Sequence, residues 1–134
     1  MTREIKFRIW DKDNNKMLHY DNDIVPCITL NGVLQDCSKE VSSNVSYKYE
    51  LMQFTGLKDK NGKEIFEGDI MGEVLGGLYV KWCDKCKQFQ LHILNLNECM
   101  ACGGDLHWSE FVTFDDNEVI GNIYENKELV REYL

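Results

Sequence analysis

Four of the six cysteines form two C-x-x-C pairs, Cys83 with Cys86 and Cys99 with Cys102, and twelve residues separate the pairs. Two residues between cysteines let both sulfurs reach one ion from a tight turn, and the twelve-residue connection is long enough for a short hairpin that brings the second turn back. The spacing predicts a zinc ribbon in which Cys83, Cys86, Cys99 and Cys102 hold one structural zinc ion. Four thiolates close the tetrahedron and leave no open position for a substrate or an attacking water, so the ion is expected to organise the chain rather than perform chemistry. Gly103-Gly104, after the second pair, permits the backbone to pass close beneath the metal and donate N–H groups to sulfur. A redox C-x-x-C wants a helix N-terminus within a βαβ setting, which the surrounding sequence does not supply. The zinc deaminase pattern also fails, because His92 is followed by Ile93-Leu94 and His107 by Trp108-Ser109, with no H-x-E.

Other chemistry-bearing residues are weaker candidates. Cys27 and Cys37 have no metal-ligand pattern and read as buried or free thiols. His19, His92 and His107 are scattered and read as surface or packing residues. "GEVLGG" (Gly72 to Gly77) lacks the Lys-Ser/Thr of a phosphate cradle and reads as a turn. Trp10, Trp82 and Trp108 could stack on bases, but their positions on or beside strands favour core filling. No catalytic arrangement stands out, and the chain is not expected to be an enzyme. From Asp105 onward there are eight acids against Lys127 and Arg131. Within that stretch Asp105, Glu110, Asp115, Asp116 and Glu118 are the candidate partner-binding residues, a surface that mimics phosphate or docks on an Arg/Lys-rich protein. The plain alternative is a solvated acidic face.

The elements that must position these residues read mostly as strands. "IKFRIW" alternates Ile5, Phe7 and Ile9 against Lys6 and Arg8; "DKDNN" is turn chemistry, and "KMLHY" returns as the second arm of a hairpin. "YKYELMQFTG" is strand-like through Phe54, and Asn61-Gly62 suits the positive φ of a reversal. "GDIMGEVL" and "GLYVKW" form two more strands around Gly76-Gly77, with Leu78, Val80 and Trp82 on one side. "EFVTF" and "EVIGNIY" are expected to pair last. "NKELVREYL" reads as a short helix with Asn126 as N-cap, too short to be stable unless docked. The passage from Asp21 to Asn44 is open between a strand pair and a long loop. The fold class is mainly β, a small β-barrel with an inserted zinc-ribbon hairpin and a short C-terminal helix.

A chain of 134 residues suits one domain, 1–134, with the ribbon inserted at about 81–108. At 43% hydrophobic and 28% charged residues it can build a core without disulfides and is too apolar for a disordered chain. Its apolar runs fall far short of the ~20 residues that cross a bilayer, and "MTREIKF" is no signal peptide, so neither membrane insertion nor Sec-type secretion is expected. The net charge of −8 would become about −10 with a zinc tetrathiolate. Because phosphate contacts supply most nucleic-acid affinity, this balance disfavours direct nucleic-acid binding and suits a partner with a basic surface.

The opening "REIKFRIWDKDNNKML", the block "LMQFTGLKDKNGKEIFEGDI" and the closing "VIGNIYENKEL" together resemble the YopX family of phage and prophage proteins. That resemblance implies a β-rich fold, a phage or prophage origin and action in the host bacterial cytoplasm. It brings no catalytic residues. The cysteine ribbon lies between the second and third blocks and reads as an insertion that carries a specialised role. Acidic charge, absent catalytic machinery and the phage resemblance lead us to expect a non-enzymatic inhibitor of host defence. In its most concrete form it is an anti-CRISPR protein that binds the type II RNA-guided nuclease, whose basic channels an acidic globule approaches by electrostatic steering, and blocks DNA loading or cleavage. The alternative is a nucleic-acid-associated zinc-ribbon module in phage replication or transcription, using the ribbon and the basic N-terminal strand.

Overall fold

Asp11 sets the first reversal of the chain. Its buried carboxylate accepts the backbone N–H groups of Asp13 (3.0 Å) and Asn14 (3.2 Å) on one oxygen and the Asn14 side-chain amide (2.8 Å) on the other. Burial alone would raise its pKa, but these donors, with Lys48 nearby, hold it below the ordinary carboxylate value. Around this Asx turn Phe7–Asp11 (β1) and Lys16–His19 (β2) pair antiparallel, the hairpin that the alternation predicts. The structure is a computed structural model that describes residues 4–20, 27–31, 33–36, 43–72, 77–93, 98–102, 114 and 117–133.

The chain divides into two compact units, Lys6–Gln53 and Phe54–Leu134 together with Met1–Ile5. In the first, β1 is an interior strand, with β2 on one side and Tyr49–Gln53 on the other. Cys27–Ile28 (β3), Leu34–Asp36 (β4) and Ser43–Asn44 (β5) form a three-stranded antiparallel sheet in that order, so the open passage contains strands. The Thr29 hydroxyl accepts the Val33 N–H (3.0 Å), and the Ser46 hydroxyl accepts that of Leu34 (2.9 Å). Ile9, Leu34 and Val45 make the core, packed by Leu18, Tyr20, Ile28, Tyr49 and Leu51. Alternation places Ile9 correctly but misplaces two neighbours: Ile5 is exposed and Arg8 is buried.

In the second unit the far half of Tyr49–Lys58 (β6) pairs with Glu64–Phe66 (β7), and Phe54 meets Phe66 with ring centroids 5.5 Å apart. The reversal between them uses Asn61-Gly62 as expected, with Gly62 at φ +82°, a conformation strained for residues with a Cβ. Asp69–Met71 (β8), Leu78–Cys83 (β9), Gln88–Ile93 (β10), Glu98–Cys99 (β11) and Val119–Asn122 (β12) form a sheet of order β11-β10-β9-β8-β12, antiparallel throughout. Ile65, Met71, Leu78, Val80, Leu91, Met100 and Val119 form its core, with Phe89, Ile93 and Phe114 against them. β12 pairs with β8; of "EFVTF", its expected partner, only Phe114 is described. A register shift between Val119 and Gly121 leaves Ile120 out of the ladder and 45% exposed.

Lys127–Tyr133 (α1) is the expected short helix. The Asn126 side-chain oxygen, assigned to cap it, instead accepts the Asn122 N–H (3.0 Å), while the Asn122 oxygen accepts the N–H groups of Tyr124 (3.0 Å) and Glu125 (2.8 Å). This leaves no room above Gly121, where a Cβ would lie 2.6 Å from the Asn126 Cγ. Gly121→Ala is therefore expected to displace that amide, orphan the Asn122 N–H and destabilise by about 1–3 kcal/mol. Chemical denaturation measures this; an unchanged midpoint would show that the Asn126 contact is not binding the turn. The fold is mostly β, with a half-barrel sheet and a short C-terminal helix. Among the described residues no helix is long and apolar enough to cross a membrane.

Candidate metal centre

The first cysteine pair is itself a hairpin turn. Cys83 ends β9 and Gln88 begins β10, and these residues face each other in the ladder, so the intervening chain must reverse tightly. The Lys87 N–H donates to the Cys83 carbonyl (2.8 Å), with Lys87 left-handed at φ +57°, and the Cys86 N–H donates to Cys83 Sγ (3.4 Å). The second pair begins in β11, where Cys99 faces His92 of β10, and the Met100 N–H donates to the Leu91 carbonyl (2.8 Å). β10 thus lies between both knuckles and brings them together.

All four sulfurs lie within 4.8 Å of one another. Cys83 Sγ is 3.5 Å from Cys102 Sγ, and Cys86 Sγ is 3.9 Å from Cys99 Sγ. A tetrahedron with metal–sulfur bonds of about 2.3 Å has sulfurs about 3.8 Å apart, so the two measured edges bracket that value. Cys83 and Cys99 are buried, Cys86 is partly covered and Cys102 is exposed. The Cys86 N–H, above all, pulls the Cys83 thiol down to about 6, whereas burial and the neighbouring sulfurs push Cys86 up to about 12 and Cys102 is raised by Cys83. Four thiolates this close repel one another, and a bound cation removes the conflict by neutralising them together. The cluster can hold a metal ion.

The surroundings support the hairpin that carries it. On the inner stretch of the hairpin Leu78 faces Ile93 and Val80 faces Leu91, with Leu78, Val80 and Leu91 in the core. Nearer the knuckle Trp82 faces Phe89, edge to face at 5.2 Å and 81°, yet stays 42% exposed, so it is not the core filler expected of it; Trp10 is buried. His92 is buried against Tyr79, with ring centroids 5.8 Å apart. Its Nδ1 lies 3.1 Å from the Gln90 carbonyl, which can only accept, so Nδ1 carries the proton; burial lowers its pKa and keeps the ring neutral.

Of the acidic candidates only Glu118 is described. It is exposed and pairs with Lys60 at 3.8 Å, a surface ion pair of little energetic weight. Asp105, Glu110, Asp115 and Asp116 lie outside the described residues, as do Gly103-Gly104, Cys37, His107 and Trp108. Sequence reading missed Asp59. Its buried carboxylate accepts the N–H groups of Asn61 and Lys63 on one oxygen and of Val119 on the other, each at 2.9 Å, joining the β6–β7 turn to β12. The signal was the D-x-N-G-x run "DKNGK", in which an Asp two residues before Asn-Gly is placed to cap the turn.

The sequence profile of the family described as YopX protein matches residues 6–131. Among solved structures, the crystal structure of protein EF1440 from Enterococcus faecalis is similar, with 29% identity and a TM-score of 0.57, over 96% of this chain and 99% of that one. No curated protein matches the chain.

Proposed function

The chain belongs to the YopX family of phage-type proteins, and from that premise we propose that it is a zinc-stabilised, non-enzymatic inhibitor of host defence acting in the bacterial cytoplasm. It occupies a host protein with a basic surface, most concretely the type II RNA-guided nuclease, and so acts as an anti-CRISPR protein. The observation that carries this reading is the charge: −8 over 134 residues, concentrated after Asp105. A field of that sign accelerates encounter with a basic channel and repels free nucleic acid. The sulfur set favours zinc, since four soft thiolates in a tetrahedron suit zinc or an iron–sulfur centre and leave no position for substrate.

The test is DNA cleavage by a purified, guide-loaded type II nuclease titrated with zinc-loaded protein. Loss of cleavage near equimolar inhibitor is expected, and reversal of Asp115, Asp116 and Glu118 to Lys should raise the required concentration by about tenfold or more, most strongly at low salt. Undiminished cleavage at a large excess of protein would remove the nuclease as the target. Unchanged potency of the charge-reversed variant would remove the acidic run as the docking surface.

A specific observation favours a second reading. Exposed Trp82 lies on a hairpin that also exposes Lys81, Lys85 and Lys87 around Asp84, a combination suited to base stacking with local phosphate contacts in a replication or transcription module. A salt-dependent mobility shift of labelled single-stranded DNA or RNA, lost in Trp82→Ala, supports it; no shift at low salt removes it.

A further inference from the structure

Two features of the four-thiol centre concern its reactivity rather than its affinity. All four sulfurs lie within 4.8 Å of one another, and two of the close separations run between the knuckles, Cys83 to Cys102 at 3.5 Å and Cys86 to Cys99 at 3.9 Å. Access is unequal, with Cys102 exposed while Cys83 and Cys99 are buried. We propose that a peroxide converts this centre from a metal clasp into a covalent one, by forming disulfides across the knuckles, Cys83 to Cys102 and then Cys86 to Cys99, and releasing the ion. The proposal rests on the reading of the cluster as a zinc site.

The exposed Cys102 thiolate attacks one peroxide oxygen, breaking the O–O bond to give a sulfenic acid and hydroxide. Cys83 Sγ, already within reach, attacks the Cys102 sulfur; the S–S bond forms and a second hydroxide leaves. Two thiolates have lost two electrons and the peroxide has gained them. Deprived of two of its four ligands, the metal departs as a divalent cation, and a second peroxide oxidises Cys86 and Cys99 in the same way. The order follows from access: the oxidant meets Cys102 first, and the buried partner resolves the sulfenic acid before further oxidation.

The outcome differs from simple metal loss. The same strand ends stay joined, so the hairpin keeps its closure while its charge changes. Exposed Lys81, Lys85 and Lys87 stand against exposed Asp84 and Glu98, and a zinc tetrathiolate carries two negative charges, so the loaded tip has a net charge of −1. After oxidation those negative charges are gone and the tip is basic. Peroxide thereby changes the sign of the surface around exposed Trp82 without unfolding it.

The experiment treats zinc-loaded protein with hydrogen peroxide under anaerobic quench, follows released zinc with a chromophoric chelator, and maps crosslinks without reduction. Cleavage at Lys85 and Lys87 by trypsin and at Met100 by cyanogen bromide places the four cysteines on four different peptides. Expected are zinc release in step with thiol loss, a Cys83–Cys102 crosslink appearing first, and retention of the native far-UV spectrum with a shift on anion exchange toward weaker binding. Crosslinks within a knuckle, sulfinic acid in place of a disulfide, or zinc retained under excess peroxide would each overturn the proposal. A protein that never takes up zinc would instead refute the reading of the site on which it rests.

Discussion

Stripping the metal from the loaded protein is expected to lower its thermal midpoint by about 15 °C, and Cys83→Ser should reproduce the loss and no longer respond to added zinc. An ion present at a thousand times its Kd stabilises the folded state by about 4 kcal/mol through linkage, and each kcal/mol moves the midpoint of a domain this size by roughly 4 °C. The damage should be graded along the hairpin. At the knuckle, closure depends on sulfur, whereas the inner registers Leu78 to Ile93 and Val80 to Leu91 are held by core contacts and ladder hydrogen bonds. Amide hydrogen exchange should therefore accelerate around Cys83 to Gln88 and Cys99 to Cys102 and change little at Val80 and Leu91. Equal midpoints with and without metal would refute a structural ion, and uniform loss of protection would refute the grading.

Asp59→Ala should be the most destabilising change outside the cysteines, at about 3–4 kcal/mol by urea denaturation. The substitution strands the N–H groups of Asn61, Lys63 and Val119, and hydrogen bonds to a charged acceptor are worth about 1.5–3 kcal/mol each, partly recovered when water enters. Asp59→Asn keeps one acceptor but turns an NH₂ toward a backbone N–H, so about half the loss should remain. Burial raises the carboxyl pKa, yet the donors of Val119, Lys63 and Asn61, helped by the Lys63 charge, win and leave it below 3.8. The sign follows. A depressed folded-state pKa contributes stability that is complete above the unfolded value near 3.8 and disappears as pH falls through the folded value. Wild-type protein should weaken below about pH 4, and Asp59→Asn should show a shallower acid limb; parallel limbs would show that this carboxylate does not drive the transition.

What was legible in the sequence was local. Ligand spacing within ten to twenty residues fixed the sulfur cluster, because two knuckles on one hairpin leave the chain few ways to separate them. Turn residues flanking an alternating run located the β1–β2 hairpin, and Asn61-Gly62 located the next reversal. What escaped was set by residues distant in the chain. β12 pairs with β8 because Asp59, sixty residues before Val119, fastens the entry to that strand, and nothing in "EVIGNIY" names the partner. Alternation gave Trp82 the same face as Val80, but a face stays buried only as far as something covers it, and the sheet extends past its core at the knuckle. Asn126 had the right type for a cap and a nearer claimant in the Asn122 N–H.

Among the described residues, the buried side chains Asp11, Asp59, Asp69 and Asn122, which cap turns, all fall within the three blocks that resemble the family. Each of those blocks therefore contains both buried apolar residues and a side chain that fixes a bend of the backbone. Outward positions such as Leu57, Lys81, Trp82 and Ile120 are exposed and can diverge at little energetic cost. Two relatives can share every bend and differ on every outer face, so inheritance of the scaffold carries no inheritance of surface chemistry.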